Sequence, residues 1–581
     1  MGKGFGNGKL KKAQQNREPY RDFLLQILQV TQDSKGDQRV VYPLLFANLN
    51  KLDENLVEIL YNEAMARLSE VELEQAQTIA GDINNFSILI GNFPLGSRAT
   101  NLEIAITGYK IAATVFTHCA FPQDWAMTQN NLGNAYCQRI CGDQAQNLET
   151  AIAAYKAALQ VCTREEFPED WAETQSNLGT AYLYRIRGNQ AENLEIGIAL
   201  YIDALQVYTP EMFPEQWART QNNLGTAYRS RIQGDRAENI EAAIAAHKQA
   251  LQVYTPEEFP QDWAGTQSNL GSAYIDRIQG DRAQNLEKAI YCYQSALQVS
   301  IHNTLPKEWA MIQNNLAAAY CKRIQGDRTK NLEAAIAAHQ ASLQVYTRSA
   351  FPQHWAMVQN NLGNTYSERG QIAEAIAAYK FALKVYTRSA FPQYWAMTQN
   401  NLGFAYVSRG QIKEAIDCFW SALEIYTPTA FPVECLRSGN NLGNTAFLAR
   451  RWSEAIEGYR FAIEAVETSR TWATSESRRQ EILAEAIGIY ANMVQACINA
   501  GQLEKAIEYV ERSRSKRLVD LMASNDLYQG GEISPDVKEL LQQFDDLQQQ
   551  IDQERSQNNS GNNRELIGVG SRTSDRASFQ A

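Results

Sequence analysis

The chain has no long apolar run, no excess of basic residues and no cysteine framework, and each absence excludes a class of protein. No apolar stretch in its 581 residues reaches the roughly 18 residues that a membrane-spanning helix needs. The net charge of -11 argues against a nucleic-acid backbone as the main partner. The nine cysteines are odd in number and scattered, which indicates a reducing compartment. We therefore expect a cytoplasmic protein whose main partner is neither a membrane nor a nucleic acid.

The side chains that usually carry catalysis are also scarce. No glycine-rich phosphate loop follows a strand pattern, and the chain has only five histidines. His118 and Cys119 form the only adjacent His/Cys pair, but nothing near them in sequence would orient the imidazole as a base. Cys137 and Cys141 lie one helical turn apart without the further ligands that a metal site needs. We expect no catalytic residue, no metal and no cofactor, so the chain as given is not predicted to be an enzyme.

A repeat with a tryptophan marker fills most of the sequence. Six tryptophans are each 46 residues apart: Trp125, Trp171, Trp217, Trp263, Trp309 and Trp355. Trp395 follows 40 residues later, and Cys435 takes the same place after another 40. The pattern extends backward, with Asn85 matching Asn131 at an offset of 46 residues. A fixed period of this size predicts a solenoid of stacked repeats.

Each repeat reads as two helices joined by a turn. Pro122 fits the first turn of the first helix, where its missing N–H costs nothing, and Phe121 precedes it. Gly142 and Asp143 interrupt the helical pattern, and we predict Asn147 as the N-cap of the second helix. The second helix carries a stripe of small and aromatic residues at spacings of four and three, namely Ala151, Tyr155 and Ala158.

These motifs resemble the tetratricopeptide repeat (TPR). The 40-residue units match it best, through Leu362, Gly363, Tyr366, Gly370, Ala375, Tyr379 and Ala382. Departures from the pattern are Ala317 for the glycine, His247 and His339 for the aromatic residue, and Ala446 for the tyrosine. The resemblance implies an all-α superhelical solenoid of about nine to ten helix-turn-helix repeats with an N-terminal helical cap.

The composition divides the chain into six segments. We expect a disordered N-terminus over 1–19, a helical cap over 20–78, and 46-residue repeats over 79–354. The 40-residue repeats occupy 355–467, and a degenerate repeat with a basic helix covers 468–530. A polar helix, reading "SPDVKELLQQFDDLQQQIDQERSQ", and a flexible Asn/Gly/Ser-rich linker make up 531–581.

The two ends of the chain carry a second resemblance. The stretches "ERSRSKRLVDLM" and "NNRELIGVGSRTSDRASFQA" look like the linker of bacterial, especially cyanobacterial, TPR–CHAT proteins, in which a caspase-like CHAT domain follows the repeats. The opening stretch from Tyr20 also resembles their N-terminal region. The family's catalytic His and Cys lie in the CHAT domain, so no residue here inherits either role. The sequence stops where that domain would begin, and a truncated gene, a separately encoded domain and a fragment all remain open.

An asparagine precedes the leucine of each Leu-Gly motif, and this ladder is our main candidate site. Asparagine is a poor residue inside a helix, so its repetition needs a reason. In TPR proteins this position faces the concave groove, which implies that the amides hold the backbone of a bound peptide. The alternative is that each amide bonds to a neighbouring helix and orders the stack. The predicted site comprises Asn131, Asn177, Asn223, Asn269, Asn315, Asn361, Asn401 and Asn441, with the variable flanking residues Met127, Arg219, Met311, Met357 and Met397.

An arginine ends most first helices and forms a second ladder: Arg139, Arg185, Arg231, Arg277, Arg323, Arg369 and Arg409. A cation suits the C-terminus of a helix. An aspartate follows four residues later in several repeats, as in Asp143 and Asp235, and we predict that the two side chains pair. An anion-binding stripe is the alternative, and these aspartates would neutralise it.

Together these patterns predict a scaffold that binds a protein or peptide partner. By resemblance, it would be the sensor or regulatory part of a CHAT-type protease system, with the protease domain in cis or in trans. Two alternatives stay open. The chain could be a truncated piece of a caspase-like cysteine protease whose catalytic domain lies beyond residue 581, or it could be a self-assembling structural scaffold.

Overall fold

The structure, a computed structural model, describes residues 5–300, 305–472 and 476–523. These residues form 23 α-helices and one short 3-10 helix, and no strand occurs among them. The predicted all-α class is therefore confirmed. The predicted polar helix and linker over 531–581 lie outside the described residues.

The chain divides into two compact units, and the first ends at Asn285. Its N-terminal part contains α1 (Phe5–Asp33), α2 (Gln38–Ala47), a 3-10 turn (Leu49–Lys51) and α3 (Glu54–Glu70). Helix pairs follow: α4 (Leu73–Asn92) with α5 (Arg98–Val115), α6 (Pro122–Gln138) with α7 (Gln144–Ala158), α8 (Pro168–Leu183) with α9 (Gln190–Ala204), and α10 (Pro214–Ser230) with α11 (Arg236–Ala250). Next comes α12 (Pro260–Asp276), and the unit boundary falls within α13 (Arg282–Val299).

The second unit begins at Leu286 and continues the helix pairs. They are α14 (Pro306–Lys322) with α15 (Arg328–Val345), α16 (Pro352–Arg369) with α17 (Ile372–Ala382), α18 (Pro392–Ser408) with α19 (Ile412–Leu423), α20 (Pro432–Leu448) with α21 (Trp452–Trp472), and α22 (Glu476–Asn499) with α23 (Leu503–Ala523).

The first three helices share one buried core with the first helix pair. Phe23 of α1, Val41 of α2 and Leu56 of α3 belong to the same cluster as Ile83 and Phe86 of α4. Helix α1 begins at Phe5 and therefore enters the segment 1–19, for which the sequence predicts disorder. The Lys, Leu, Ala, Gln and Arg residues between positions 9 and 17 have high helix propensity, which accounts for the extension.

The turn between repeats has a constant structure that starts each first helix. In the turn before α10, the backbone N–H of Phe213 donates to the carbonyl of Thr209 at 2.9 Å, and the Thr209 hydroxyl accepts from the N–H of Met212 at 3.3 Å. Phe213 is the N-cap and Pro214 the first helical residue, as predicted for the Phe-Pro pair.

The turn inside the repeat corrects one prediction. The N-cap of α7 is Asp143, whose carboxylate accepts from the N–H of Gln146 at 2.7 Å, and Asn147 lies inside the helix. Gly142 has a φ of 80°, a left-handed conformation that turns the chain so that Asp143 reaches the cap position. Asn147 is buried, and its amide donates to the carbonyl of Cys141 at 2.9 Å, which closes the turn from within.

The six additional residues of the longer repeats are not confined to the turn. The turn has five residues, 323–327, in a 46-residue repeat and two, 370–371, in a 40-residue repeat. The second helix also begins four residues earlier, because α15 starts 11 residues before His339 and α17 starts seven residues before Tyr379. The longer repeats therefore carry one extra helical turn as well as a longer loop.

In most of the helix pairs from α6 to α21, a glycine of the first helix lies against an aromatic ring of the second. A Cβ atom added to Gly133 would lie 2.6 Å from the Tyr155 ring, and one added to Gly363 would lie 2.6 Å from the Tyr379 ring. Gly225 is equally close to His247, at 2.7 Å. The glycine of the Leu-Gly motif is thus required because the ring occupies the space that a side chain would take.

The pair Ala317 and His339 departs from this contact. Both residues are buried, and they occupy the positions of Gly225 and His247 two repeats later. His247 comes as close to Gly225 as the tyrosine rings come to their glycines, so a ring in that position would crowd the methyl group of Ala317. Ala317 therefore replaces a glycine at a position where the other repeats leave no space for a side chain.

We predict that His339→Tyr destabilises the protein by about 1–3 kcal/mol, because a tyrosine ring placed as Tyr155 is would lie 2.6 Å from the Cβ atom of Ala317 and overpack. Adding Ala317→Gly should recover most of this loss. His247→Tyr is the matched control, since Gly225 opposes it and Thr226 stands where Thr180 bonds the Tyr201 hydroxyl at 2.9 Å. Denaturant unfolding of the four variants tests this, and an unaltered free energy of unfolding for His339→Tyr alone would contradict it.

Burial also makes both histidines sensitive to acid. Desolvation lowers the pKa of His247 to about 3, with a smaller effect from Arg229, and burial lowers the pKa of His339 to about 3. The His247 Nδ1 lies 3.0 Å from Asn222 Oδ1, whereas its Nε2 has no hydrogen-bond partner. The folded state therefore holds neutral imidazole, while the unfolded chain takes up a proton near pH 6.5.

Because these pKa values are depressed on folding, the contribution to stability is complete above about pH 6.5 and is lost as the pH falls towards 3. Wild type should lose up to about 2 kcal/mol more than His247→Tyr between pH 7 and pH 5. Thermal melts of the two proteins across this range measure the difference. Identical pH profiles would show that the His247 ring is not held neutral.

Candidate partner-binding surface

The predicted site residues all lie on first helices of the repeats. The first unit contains Met127 and Asn131 on α6, Asn177 on α8, Arg219 and Asn223 on α10, and Asn269 on α12. The second unit contains Met311 and Asn315 on α14, Met357 and Asn361 on α16, Met397 and Asn401 on α18, and Asn441 on α20. The flanking residue and the asparagine of one repeat are four positions apart and share one helix face.

The flanking residues differ in exposure. Met127 and Met311 are 46% and 41% exposed, and Arg219 is also exposed. Met357 and Met397 are less exposed: both are half-buried and pack against apolar clusters of the neighbouring repeats. Met127, Arg219 and Met311 are thus available to a partner, and Met357 and Met397 contribute mainly to packing. All eight asparagines are half-buried.

Five of the asparagines bond to the preceding repeat. In each case the Nδ2 atom donates to Oδ1 of the first asparagine in the "NN" pair of the preceding repeat. The distances are 3.1 Å for Asn177 to Asn130, 3.2 Å for Asn269 to Asn222, 3.3 Å for Asn361 to Asn314, 3.4 Å for Asn401 to Asn360 and 3.2 Å for Asn441 to Asn400. These bonds give direct support to the stacking interpretation. The acceptor asparagines were missed from the sequence, although their recurrence beside the ladder was a usable signal.

Two asparagines of the first unit have no such bond. Asn223 is opposite Ser176 rather than an asparagine, and the Ser176 hydroxyl lies 3.4 Å from the hydroxyl of Thr220. Asn131 is opposite Asn84, whose Oδ1 is buried without a partner. Within the described residues, the side-chain amides of Asn131 and Asn223 therefore keep their hydrogen-bonding capacity for another molecule.

The arginine ladder makes a different contact from the one we expected. Arg231 binds Glu195 of the preceding repeat through two bonds, from Nε to Oε1 at 2.8 Å and from Nη2 to Oε2 at 2.7 Å. Its Nη1 donates to Asn239 of its own second helix at 3.4 Å. The Arg231 guanidinium holds the pKa of Glu195 below its ordinary value. Asp235 instead caps α11.

The same arginine–glutamate pair recurs in both units. The other pairs are Arg139–Glu103, Arg185–Glu149, Arg277–Glu241, Arg323–Glu287 and Arg369–Glu333. The prediction that the aspartates pair with the arginines was wrong, because those aspartates are engaged by the backbone at the helix N-terminus. The glutamates neutralise the arginines, which argues against an anion-binding stripe. These glutamates recur every 46 residues in the sequence, and this recurrence could have identified them as the partners of the arginines.

The cysteine and histidine pairs noted in the sequence form no reactive arrangement. Cys119 is exposed, and the His118 ring packs edge-on against Trp125 with a centroid distance of 5.0 Å. Burial raises the pKa of Cys137 to about 11, so its thiolate is disfavoured. No cluster of potential metal ligands occurs in the part of the chain that the structure describes.

Family comparison identifies part of the array directly. Models described as "Tetratricopeptide repeat" match residues 217–260, 310–388 and 354–428. These three segments of the chain therefore match the tetratricopeptide repeat. These segments include α10 with α11 and the pairs from α14 to α19, so the family match and the observed helix pairs coincide.

The solved structures with similar folds are distant. A BtubC (BKLC) structure from P. vanneervenii shares 24% identity over 40% of this chain and 90% of its own, with a TM-score of 0.33. The apo form of RapI shares 16% identity over 71% and 97%, with a TM-score of 0.39. A human IFIT1 dimer with PPP-AAAA shares 15% identity over 83% and 94%, with a TM-score of 0.42. No curated protein matches the chain. Among the described helices, none is long and apolar enough to cross a membrane.

The two classes of asparagine lead to a prediction. Asn361→Ala should lower the free energy of unfolding by about 1 kcal/mol, because it leaves the buried Oδ1 of Asn314 without a donor. Asn223→Ala should leave stability unchanged or slightly raised, since it removes no bond and alanine favours the helix. Chemical unfolding of both variants measures the difference. Equal losses in the two variants would mean that the inter-repeat bond contributes nothing.

Proposed function

We propose that the chain is a scaffold that binds a protein or peptide partner along the first-helix face of its repeats. The observation that carries the proposal is the pair of unbonded, half-exposed amides, Asn131 and Asn223. Each lies one helical turn from an exposed side chain, Met127 and Arg219 respectively. An amide offers both a donor and an acceptor to a peptide backbone, and the variable neighbour selects among side chains.

On this proposal, the residues that contact the partner are those of the predicted site that remain accessible. In the first unit, bonded asparagines such as Asn177 and Asn269 keep their Oδ1 atoms for further donors. Methionine suits such a face because its flexible thioether adapts to different apolar side chains. The same arrangement is repeated separately in the second unit around Met311 and Asn315.

The experiment compares the double variant Asn131→Ala/Asn223→Ala with wild type in affinity capture of partners from cells of the source organism. The variant should retain the wild-type melting temperature and lose most of the captured partner, by about tenfold in affinity if each lost bond contributes about 1 kcal/mol with partial non-additivity. Gln233→Ala/Gln279→Ala is the matched control, since it removes two exposed amides from the turns inside the repeats. Retention of all partners by the asparagine variant would refute the proposed face.

We further propose that this scaffold is the regulatory or sensor part of a CHAT-type protease system. The support is the resemblance of residues 511–522 and of the C-terminal stretch to the linker of TPR–CHAT proteins. A CHAT protease from the same genome, mixed with the purified chain and the captured partner, should show a change in peptide cleavage that Asn131→Ala/Asn223→Ala abolishes. Cleavage that is independent of the chain would refute the regulatory role and leave the binding face intact.

A further inference from the structure

The last described helix, α23, exposes an apolar surface that the earlier repeats bury or half-bury. Its motif Gly501-Gln502-Leu503 matches Gly410-Gln411-Ile412 of α19, which places Ile507 at the position of Ile416. Ile416 is 1% exposed, whereas Ile507 is 64% exposed and Leu503 is 61% exposed. Isoleucine is also buried at this position in earlier repeats, as Ile106, Ile152, Ile198, Ile244, Ile290, Ile376 and Ile456.

The first helix of the following repeat covers this position elsewhere. Ile152 lies in one cluster with Leu178 and Tyr182 of α8, and Ile198 lies in one cluster with Leu224 of α10. The covering helix therefore presents a leucine and an aromatic residue four positions apart. An apolar end of a repeat array is unfavourable in water unless something covers it.

We propose that residues 534–551 of this chain cover the Leu503–Ile507 face of α23. Their sequence places apolar residues at helical spacing: Val537, Leu540, Leu541, Phe544, Leu547 and Ile551. Leu540 and Phe544 reproduce the spacing of Leu178 and Tyr182. Ser534 and Pro535 provide the N-cap and first-turn proline that start a helix.

Chain length favours this occupant over a separate molecule. Eleven residues, 524–534, precede Pro535 after the end of α23, and nine residues, 383–391, precede Pro392 after the end of α17. The segment is thus connected to its surface by a link of ordinary inter-repeat length. Such a short link gives a high effective concentration, which a second copy or a free partner must overcome.

Charge favours the same occupant. Residues 511–523 of α23 include four basic and two acidic side chains, and residues 534–557 include two basic and six acidic side chains. Arg512 already pairs with Glu467 of α21, and Arg514 lies 3.6 Å from Glu511. The remaining basic side chains still attract the acidic segment, and antiparallel packing of the two helices would bring the two stretches alongside each other.

The experiment uses the full chain and hydrogen exchange of the amides between positions 503 and 510. Leu540→Asp/Phe544→Asp should reduce their protection by about tenfold or more, which is the effect of uncovering one buried aliphatic side chain. Gln542→Asp/Gln549→Asp adds the same charge to the opposite face of the same helix and should leave protection unchanged. Equal protection in wild type and the apolar-face variant would overturn the proposal.

A synthetic peptide of residues 534–557 separates docking from a general loss of stability. Added to the Leu540→Asp/Phe544→Asp chain, it should restore protection, and a peptide with the same two substitutions should not. Failure of the unmodified peptide to restore protection would overturn the proposal. Wild-type protection that rises with protein concentration, together with dimers in light scattering, would assign the surface to a second copy and would also overturn it.

Discussion

The close contact between a glycine of the first helix and an aromatic ring of the second sets how closely the two helices of most repeats approach. At Gly133 and Gly363 the ring fills the volume that a side chain would need, so the two helices approach as closely as the ring allows. Ala151 and Ala158 on the second helix are completely buried. Their small side chains let the neighbouring helices pack close to this helix as well. Because protein interiors are close-packed, a side chain added at either glycine would require the facing ring to move.

Directional polar contacts fix how one repeat sits on the next. Apolar faces attract without strong preference for one offset, whereas the asparagine bonds and the bidentate arginine–glutamate pairs are satisfied at one offset only. An asparagine inside a helix costs about 0.5–0.7 kcal/mol relative to alanine, and one hydrogen bond returns about 0.5–1.5 kcal/mol. The ladder is therefore sustained by stacking at the bonded positions, and it needs no ligand there.

The fold could be predicted from the sequence because its period and helical spacing are repeated many times. The errors arose where two residues competed for one local role. Asp143 and Asn147 are both good N-caps, and only the left-handed turn at Gly142 selects the aspartate. Asp235 and Glu195 are both possible partners for Arg231, and the glutamate comes from the preceding repeat. Sequence spacing within one repeat cannot show a contact made between repeats, so the asparagine acceptors were missed for the same reason.

The proposed binding face follows from where the stacking pattern is interrupted. A fully bonded ladder would present amides that are already held by one N–H bond to the preceding repeat, as at Asn361. At Asn223 the opposing residue is Ser176, whose hydroxyl lies near Thr220, and the amide is left half-exposed beside Arg219. A serine in place of one buried asparagine thus leaves the facing amide without its inter-repeat bond. On our proposal, the substitutions between otherwise identical repeats decide which positions along the array recognise a partner.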